Sequence, residues 1–328
     1  MKLNKLKQAD YVKKFKYFII APLVFLLAGI ILLCAVGFNQ GIDFTGGTIV
    51  NVYVGDNLEN QNVYNQAKQK IDDVLEDNGL TASVYQITEN NLGLCLTVRY
   101  QDIKGKTEQE IKTINQNVTN QLFEKFGYDS QDLIEKNYIQ GSQRIDGSVG
   151  DELIVNVFSA VVIASLLTLV YLFIRFGVTS GMSALLCVFH DVLVMLALVL
   201  ICRFEVNTSF AAGIVAVMAI SFINSILFFD KIRQITKLEN VINNKDVANQ
   251  AITKNLPGSM LFNGILLVIL MLFGLIAVGE VSSFAFPVIF GVLASFYSSN
   301  FIAPTLWSFA YIKKTKIKQK KEIAVEKE

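Results

Sequence analysis

The chain's single histidine is followed directly by an aspartate, and the pair His190-Asp191 falls in the middle of a long apolar run. An ionisable side chain inside an apolar helix is costly to bury, so it asks for a function or a partner. Two roles fit the pair. One is a proton or ion relay, because both groups change protonation when their surroundings move their pKa values. The other is a structural pair that hydrogen-bonds neighbouring helices. Hydrolysis fits poorly, since adjacent helical residues point about 100° apart. No second aspartate or metal-ligand set completes such a site.

Asn224 lies in another apolar run, between Phe222-Ile223 and Ser225. Asparagine donates and accepts hydrogen bonds but carries no proton, so its chemistry favours helix packing. Ala212, Ala216 and Ala219 on the same run let a neighbour approach closely. Asp230 and Lys231 end that run, Lys254 precedes the next one, and Asn263 sits inside it. The four cysteines, Cys34, Cys95, Cys187 and Cys202, have neither metal-ligand spacing nor a pairing framework. They read as small apolar packing residues.

These residues need helices to hold them. With 52% hydrophobic and 17% charged residues and a mean hydropathy of +0.45, the chain belongs to the membrane class. A net charge of +1 argues against a nucleic-acid partner. A helix crossing the bilayer needs roughly 20 apolar residues. Six stretches qualify: 17–38, 153–174, 182–201, 210–229, 260–279 and 284–312. The last contains Pro287 and Pro304, which predicts a kink or a break. The first is too long for a signal core and no Ala-x-Ala site follows it, so it reads as a permanent anchor.

Lysines set the orientation. Lys2, Lys5, Lys7, Lys13, Lys14 and Lys16 precede the first span and place residues 1–16 in the cytoplasm. Alternation then puts the loop 230–258 and the basic tail 313–328 inside, with both termini cytoplasmic. The polar stretch 39–151 falls outside, and the remaining spans form a five-helix bundle over 152–312.

That outer stretch reads as a small α+β domain. Thr48, Val50, Val52 and Val54 alternate as a strand would, and Val63, Ala67, Ile71, Val74 and Leu75 share one helix face that ends at Asn78-Gly79. Strands follow near 81–88 and 92–100, joined by a turn at Glu89-Asn90-Asn91. Thr107 and Glu110 make a capping box before a second apolar stripe, Ile111, Ile114, Val118, Leu122 and Phe126. A last strand is expected near 133–139. The order β-α-β-β-α-β is ferredoxin-like. The stretch lacks a histidine, a glycine-rich phosphate loop and a nucleophile–base pair, so a binding or lever domain is expected, without catalytic residue, metal or cofactor.

Gly41-Ile42-Asp43-Phe44-Thr45-Gly46-Gly47, directly after the first span, is a glycine-rich turn on any reading. It also resembles the signature of SecF, the protein-export membrane subunit of the SecD/SecF family. Other matches follow in family order: Val149-Gly150-Asp151-Glu152-Leu153, His190-Asp191-Val192, Phe229-Asp230-Lys231-Ile232-Arg233, and Tyr297-Ser298-Ser299 with Phe301-Ile302-Ala303. Together they cover nearly the whole chain. SecD, the sister subunit, has a much larger outer domain and a Gly-Leu-Asp-Leu type motif, so the Asp43-Phe44 pair favours SecF.

The resemblance implies a member of the resistance-nodulation-division superfamily in the plasma membrane, among lipids. It would work beside a SecD-like sister and a SecY-type channel on unfolded polypeptides, with an ion gradient as the driving force. Two positions depart from the family pattern. The fourth-span aspartate of the family falls on Asn224, and an arginine before the fifth span falls on Lys254, which keeps the charge but loses the planar fork. Coupling then rests on Asp191 or lies wholly in the partner, leaving this chain a passive structural half, and the second is the reading taken. A lipid or small-molecule transporter half of the same superfamily is the alternative, though the outer domain is small for a tunnel.

Overall fold

The periodicities that predict six apolar helices and two amphipathic ones are met in the computed structural model. It describes residues 10–54, 58, 60–90, 93–103, 105–127, 139–145, 147–238, 244–276 and 280–310. The chain divides into two compact units: one holds 40–157 with 205–208, and the other holds the remaining spans.

In the first unit, strands β1 (Gly47–Tyr53), β2 (Ala82–Asn90), β3 (Gly93–Gln101) and β4 (Ile139–Ile145) form one sheet in the order β2-β3-β1-β4. Every pairing is antiparallel, with Thr48 opposite both Tyr100 and Arg144. Helices α2 (Gln61–Asp77) and α3 (Glu108–Phe126) complete the ferredoxin-like order. Ala67, Ile71, Val74 and Leu75 of α2 and Val118 and Leu122 of α3 pack on Val50, Val52, Leu96, Val98 and Tyr100. This burial is what the period-2 and period-3.6 patterns exist to achieve.

Local chemistry sets the helix ends. After α2, Gly79 takes φ +71, and the N–H of Leu80 donates to the Leu75 carbonyl at 2.8 Å while that of Gly79 donates to Glu76 at 2.9 Å. That is a Schellman end, which needs a left-handed residue. At the start of α3 the Thr107 N–H donates to Glu110 Oε2 at 2.9 Å, and the Glu110 N–H donates back to the Thr107 hydroxyl.

Two expectations shift. The strand expected near 133–139 lies outside the described residues except for Ile139. The sheet is closed by Ile139–Ile145, whose register is set by pairing with β1 rather than by apolar alternation. The hairpin pairs through Glu89↔Leu94 and Asn90↔Gly93, so Glu89 and Asn90 belong to the strand rather than to the expected turn, and Asn91 lies outside the described residues.

The second unit is built on α1 (Phe15–Ala35), α4 (Gly147–Phe176) from residue 158 on, α5 (Val178–Cys202), α6 (Thr208–Leu238) from residue 209 on, α7 (Asn244–Ile276) and α8 (Glu280–Tyr297). Among the described residues, six helices are long and apolar enough to cross a membrane. Large apolar side chains such as Ile31, Phe158, Leu167 and Leu261 are exposed, as lipid-facing residues are. Small residues let the helices close: a Cβ on Gly29 of α1 would come within 2.6 Å of Ala197 Cβ on α5, and Gly291 of α8 lies still tighter on Val217 of α6. The polar segment expected as a loop over 230–258 is largely helical, because α6 runs on to Leu238 and α7 starts at Asn244.

The last span passes through Pro287 without ending, then opens into one wide turn at Ser298–Ile302 before continuing to residue 310. There the Ala303 N–H donates to the Ser298 carbonyl, five residues back. Pro304 has no N–H to offer the Asn300 carbonyl, so the helix widens at the place where regular bonding fails.

Candidate functional site

Among the described residues, two polar assemblies interrupt this apolar framework, and a third lies in the unit that contains the sheet. The first surrounds Asp191, whose side chain is fully buried (0% exposed) while that of His190 is 17% exposed. The two bend toward each other despite their divergence on the helix, with His190 Nδ1 3.0 Å from Asp191 Oδ1. From α6, the Ser221 hydroxyl donates to Asp191 Oδ2 at 2.5 Å. One turn before Asp191, the Cys187 thiol approaches the Ser298 carbonyl at 3.9 Å. His190 Nε2 is buried with no hydrogen-bond partner among the described residues. The serine reaches the carboxylate rather than the imidazole, so the trio is not a nucleophile with its base. It can hold or pass a proton, or it can tie α5 to α6.

The second assembly is uncharged. Asn224 Nδ2 donates to Asn263 Oδ1 at 3.0 Å and to Ser295 Oγ at 2.7 Å, and Asn263 Nδ2 returns the bond to Asn224 Oδ1 at 3.0 Å. Asn263 also donates to the Ser259 carbonyl at 2.8 Å. The Ser259 hydroxyl accepts from Asn300 Nδ2 at 2.9 Å, and Asn255 Nδ2 donates to Asn300 Oδ1 at 3.0 Å. Asn224, Asn255, Ser259, Asn263, Ser295 and Asn300 are all buried. The ladder joins α6, α7 and the last span. Each amide finds partners where water is absent, which is the condition for burying it without loss.

The third assembly is the glycine-rich segment. Ile42–Thr45 forms one helical turn. Asp43 Oδ2 accepts from both the N–H (2.9 Å) and the hydroxyl (2.7 Å) of Thr208, the first residue of α6. The Gly41 N–H donates to the Val206 carbonyl at 2.8 Å, and a Cβ at Gly41 would strike the Glu205 carboxylate. Gly46 adopts φ 76, ψ 153, a conformation open essentially to glycine alone. Gly47 leaves no room for a Cβ, which would lie 2.5 Å from the Tyr100 carbonyl oxygen. Phe44 is half-buried in the same turn.

The remaining expected residues scatter. Asp230 accepts from Gln234 Nε2 at 2.7 Å on its own helix. Lys254 is exposed, and its neighbour Asn255 is the residue that enters the ladder. The Tyr297 hydroxyl donates to the Phe18 carbonyl at 2.7 Å, fastening the last span to α1. Ser299 donates to the Ser295 carbonyl at 2.7 Å, and Ser298 to the same oxygen at 3.4 Å. Asp191 bonds to Ser221 of α6, and Asn224 of the same helix bonds to Asn263 and Ser295, with no hydrogen-bond partner shared among the described residues. Asn255, Ser259, Ser295 and Asn300 were not singled out by sequence. Their signal was present, because Asn255, Ser259 and Asn263 recur at every fourth residue and so line one helix face.

Residues 125–313 match the family model described as protein export membrane protein SecD/SecF, C-terminal, and residues 31–52 match that of the SecD/SecF GG motif. The protein translocase subunit SecF of Calditerrivibrio nitroreducens is 27% identical over 304 residues, which are 90% of this chain and 92% of that protein. The protein translocase subunit SecDF of Bacillus subtilis is 26% identical over 91% of this chain but only 37% of its own length. A crystal structure of SecDF from Thermus, there called a translocon-associated membrane protein, superposes with a TM-score of 0.67 at 20% identity. It covers 93% of this chain and 39% of that one, so the chain spans well under half of the SecDF proteins.

Proposed function

The chain belongs to the SecD/SecF family of protein-export membrane proteins, and from that premise we propose that it is an accessory, SecF-type subunit of Sec protein export. One observation carries the proposal: the likeness to a SecF translocase subunit runs nearly end to end in both chains. The SecDF proteins, of which this chain matches only a part, support a SecD partner supplying the other half. Two related six-span halves meeting at a common interface are a recurrent plan in membrane transport. The role is transport, not catalysis. None of the relatives named above is a lipid or small-molecule transporter.

Finer assignments follow as part of the same proposal. The subunit assists late translocation of unfolded polypeptides beside a SecY-type channel, with the ferredoxin-like domain over 39–151 outside and both termini in the cytoplasm. The lysines before the first span and after the last support that orientation. Asn224 supports a passive half, because it is fully engaged in an uncharged ladder at the position where the family pattern carries an aspartate. His190 and Asp191 are then a structural tie between α5 and α6, and ion coupling resides in the SecD side.

The test is export of a signal-bearing reporter in cells depleted of this chain, with wild type or the Asn224→Asp variant restored. Slower export on depletion, rescued by wild type, sustains the role. Export untouched while sensitivity to lipophilic compounds changes would overturn it in favour of a transporter.

A further inference from the structure

Residues 10–14, ahead of α1, are folded onto the helix bundle and belong to the same compact unit. Asp10 Oδ1 accepts from the Lys13 N–H at 3.2 Å, three residues on, the bond with which a short acidic side chain starts a helical turn. The Lys14 N–H then donates to the Tyr11 carbonyl at 3.1 Å, and the turn leads into α1. Asn249 of α7 holds this turn from the side. Its Nδ2 donates to Asp10 Oδ1 at 3.1 Å, and its Oδ1 accepts from the Val12 N–H at 3.2 Å. Tyr11 and Val12 are buried, in one cluster with Ile235 of α6 and Ala251 of α7.

The same segment reaches the wide turn of the last span. Phe301, inside that turn, meets the ring of Phe18 stacked at 4.6 Å between centroids, that of Tyr297 at 5.5 Å and that of Tyr11 at 5.9 Å. The bond from the Tyr297 hydroxyl to the Phe18 carbonyl fastens the same place. Pro304 makes an irregularity necessary, because it offers no N–H to the Asn300 carbonyl and its ring crowds that group. It does not by itself decide which residue the helix takes in as the extra one. That choice matters, since an added residue turns everything after it by about 100°. The ring contacts require Phe301 to face α1. With Phe301 so placed, Asn300 meets Ser259 and Asn255 of α7, and the Ser298 carbonyl receives the Cys187 thiol of α5.

We infer that residues 10–18 act as a strap: docked on Phe301, they fix where the last span widens and so keep Ser298 turned to α5 and Asn300 to α7. The asparagine ladder thereby depends on a segment that, among the described residues, has no hydrogen bond to it. Asp10, Tyr11, Val12 and Phe18 carry the strap and none is basic, so it is separable from the lysines on which the proposed orientation rests. It goes beyond the export role and needs nothing of it.

The experiment follows backbone amide exchange in the purified full chain in detergent. Three segments are compared: 298–303 in the wide turn, 11–18 in the strap, and 162–168 of α4 as the reference. Tyr11→Ala is expected to speed exchange in the wide turn about tenfold, the size of a lost aromatic contact. Asn249→Ala removes both side-chain bonds to the strap and is expected to speed it about fivefold, the size of a net hydrogen bond. In both variants 162–168 stays as in wild type. Tyr11→Phe keeps the ring and drops a hydroxyl that is buried with no hydrogen-bond partner among the described residues, so the turn should stay as protected as in wild type. A strap that exchanges freely in Tyr11→Ala over a wide turn of unchanged protection overturns the inference. So does Tyr11→Phe loosening the turn as much as Tyr11→Ala, and so does equal loosening of 162–168, which would mark a general loss of stability. Should Tyr11→Ala fail to accumulate, Asn249→Ala at its half-buried position decides alone, and a freed strap over an unchanged turn there overturns the inference too.

Discussion

The side-chain amides of Asn224 and Asn263 donate to each other, Nδ2 to Oδ1 at 3.0 Å in each direction. Neither group has a charge to lose, and Ser295, Ser259 and Asn300 extend the same bonding on both sides. This reciprocal pair ties the fourth span to the fifth, and the bond from Asn224 to Ser295 adds the sixth.

The Asn224→Asp variant should therefore damage the bundle rather than improve it. An ionised carboxylate cannot donate to Asn263 Oδ1, which then faces it without a donor, although the Ser295 hydroxyl can turn to donate. The expected loss is about 2 kcal/mol, the cost of leaving buried polar groups unpaired. A lower thermal midpoint of the purified protein in detergent is the measurement. Unchanged stability with faster, gradient-sensitive export would instead return a working acid to this half.

Asp191 gives the complementary case. Asp191→Asn keeps an oxygen for the Ser221 hydroxyl, so fold and export should both survive. Asp191→Ala strands that hydroxyl and the His190 ring in a buried site, at a cost of about 2 kcal/mol. Reporter export at equal abundance separates the two. Loss of export in a well-folded Asp191→Asn protein would defeat the passive reading and make Asp191 the coupling group.

Gly47 and Gly79 predict different penalties from the same substitution. Gly79 sits in open space at φ +71, so Gly79→Ala costs only the left-handed strain, about 1 kcal/mol. Gly47→Ala drives a Cβ to 2.5 Å from the Tyr100 backbone oxygen and into Ile42, and should cost about 3 kcal/mol by overpacking. Membrane abundance and thermal midpoint, compared between the two variants, check the order.

The capping box of α3 carries a pH signature. The Thr107 backbone N–H, then its hydroxyl, then Lys106 hold the exposed Glu110 carboxyl down to about 2, below its ordinary 4.5. A depressed acid stabilises the fold above its unfolded value and loses that contribution as pH falls through the folded one. Protection of the first α3 amides should therefore be complete above pH 4.5 and fade toward pH 2. The Glu110→Gln variant, which keeps the bond but does not titrate, should show a flatter profile by hydrogen exchange.

Patterns that act along the chain were readable in the sequence. The stripes of α2 and α3, their caps at Gly79 and Thr107, the apolar spans and the ferredoxin-like order all follow from spacing and local chemistry. What escaped were features decided by partners distant in sequence. Strand β4 is largely polar, and only its pairing with β1 brings it into the sheet. Ser221 carries no hint of Asp191, nor Asn300 of Asn255, because helix neighbours are chosen by packing. The adjacent His190 and Asp191 were expected to diverge, yet their side chains bend back into contact.

The ladder through Asn224 has one more property. Moving a unit charge through the electric field of a membrane is worth about 2.3 kcal/mol per 100 mV. An amide pair moves no charge, so voltage has nothing to act on. The clasp that joins these three spans holds with the same strength in an energised cell and in one whose membrane has run down.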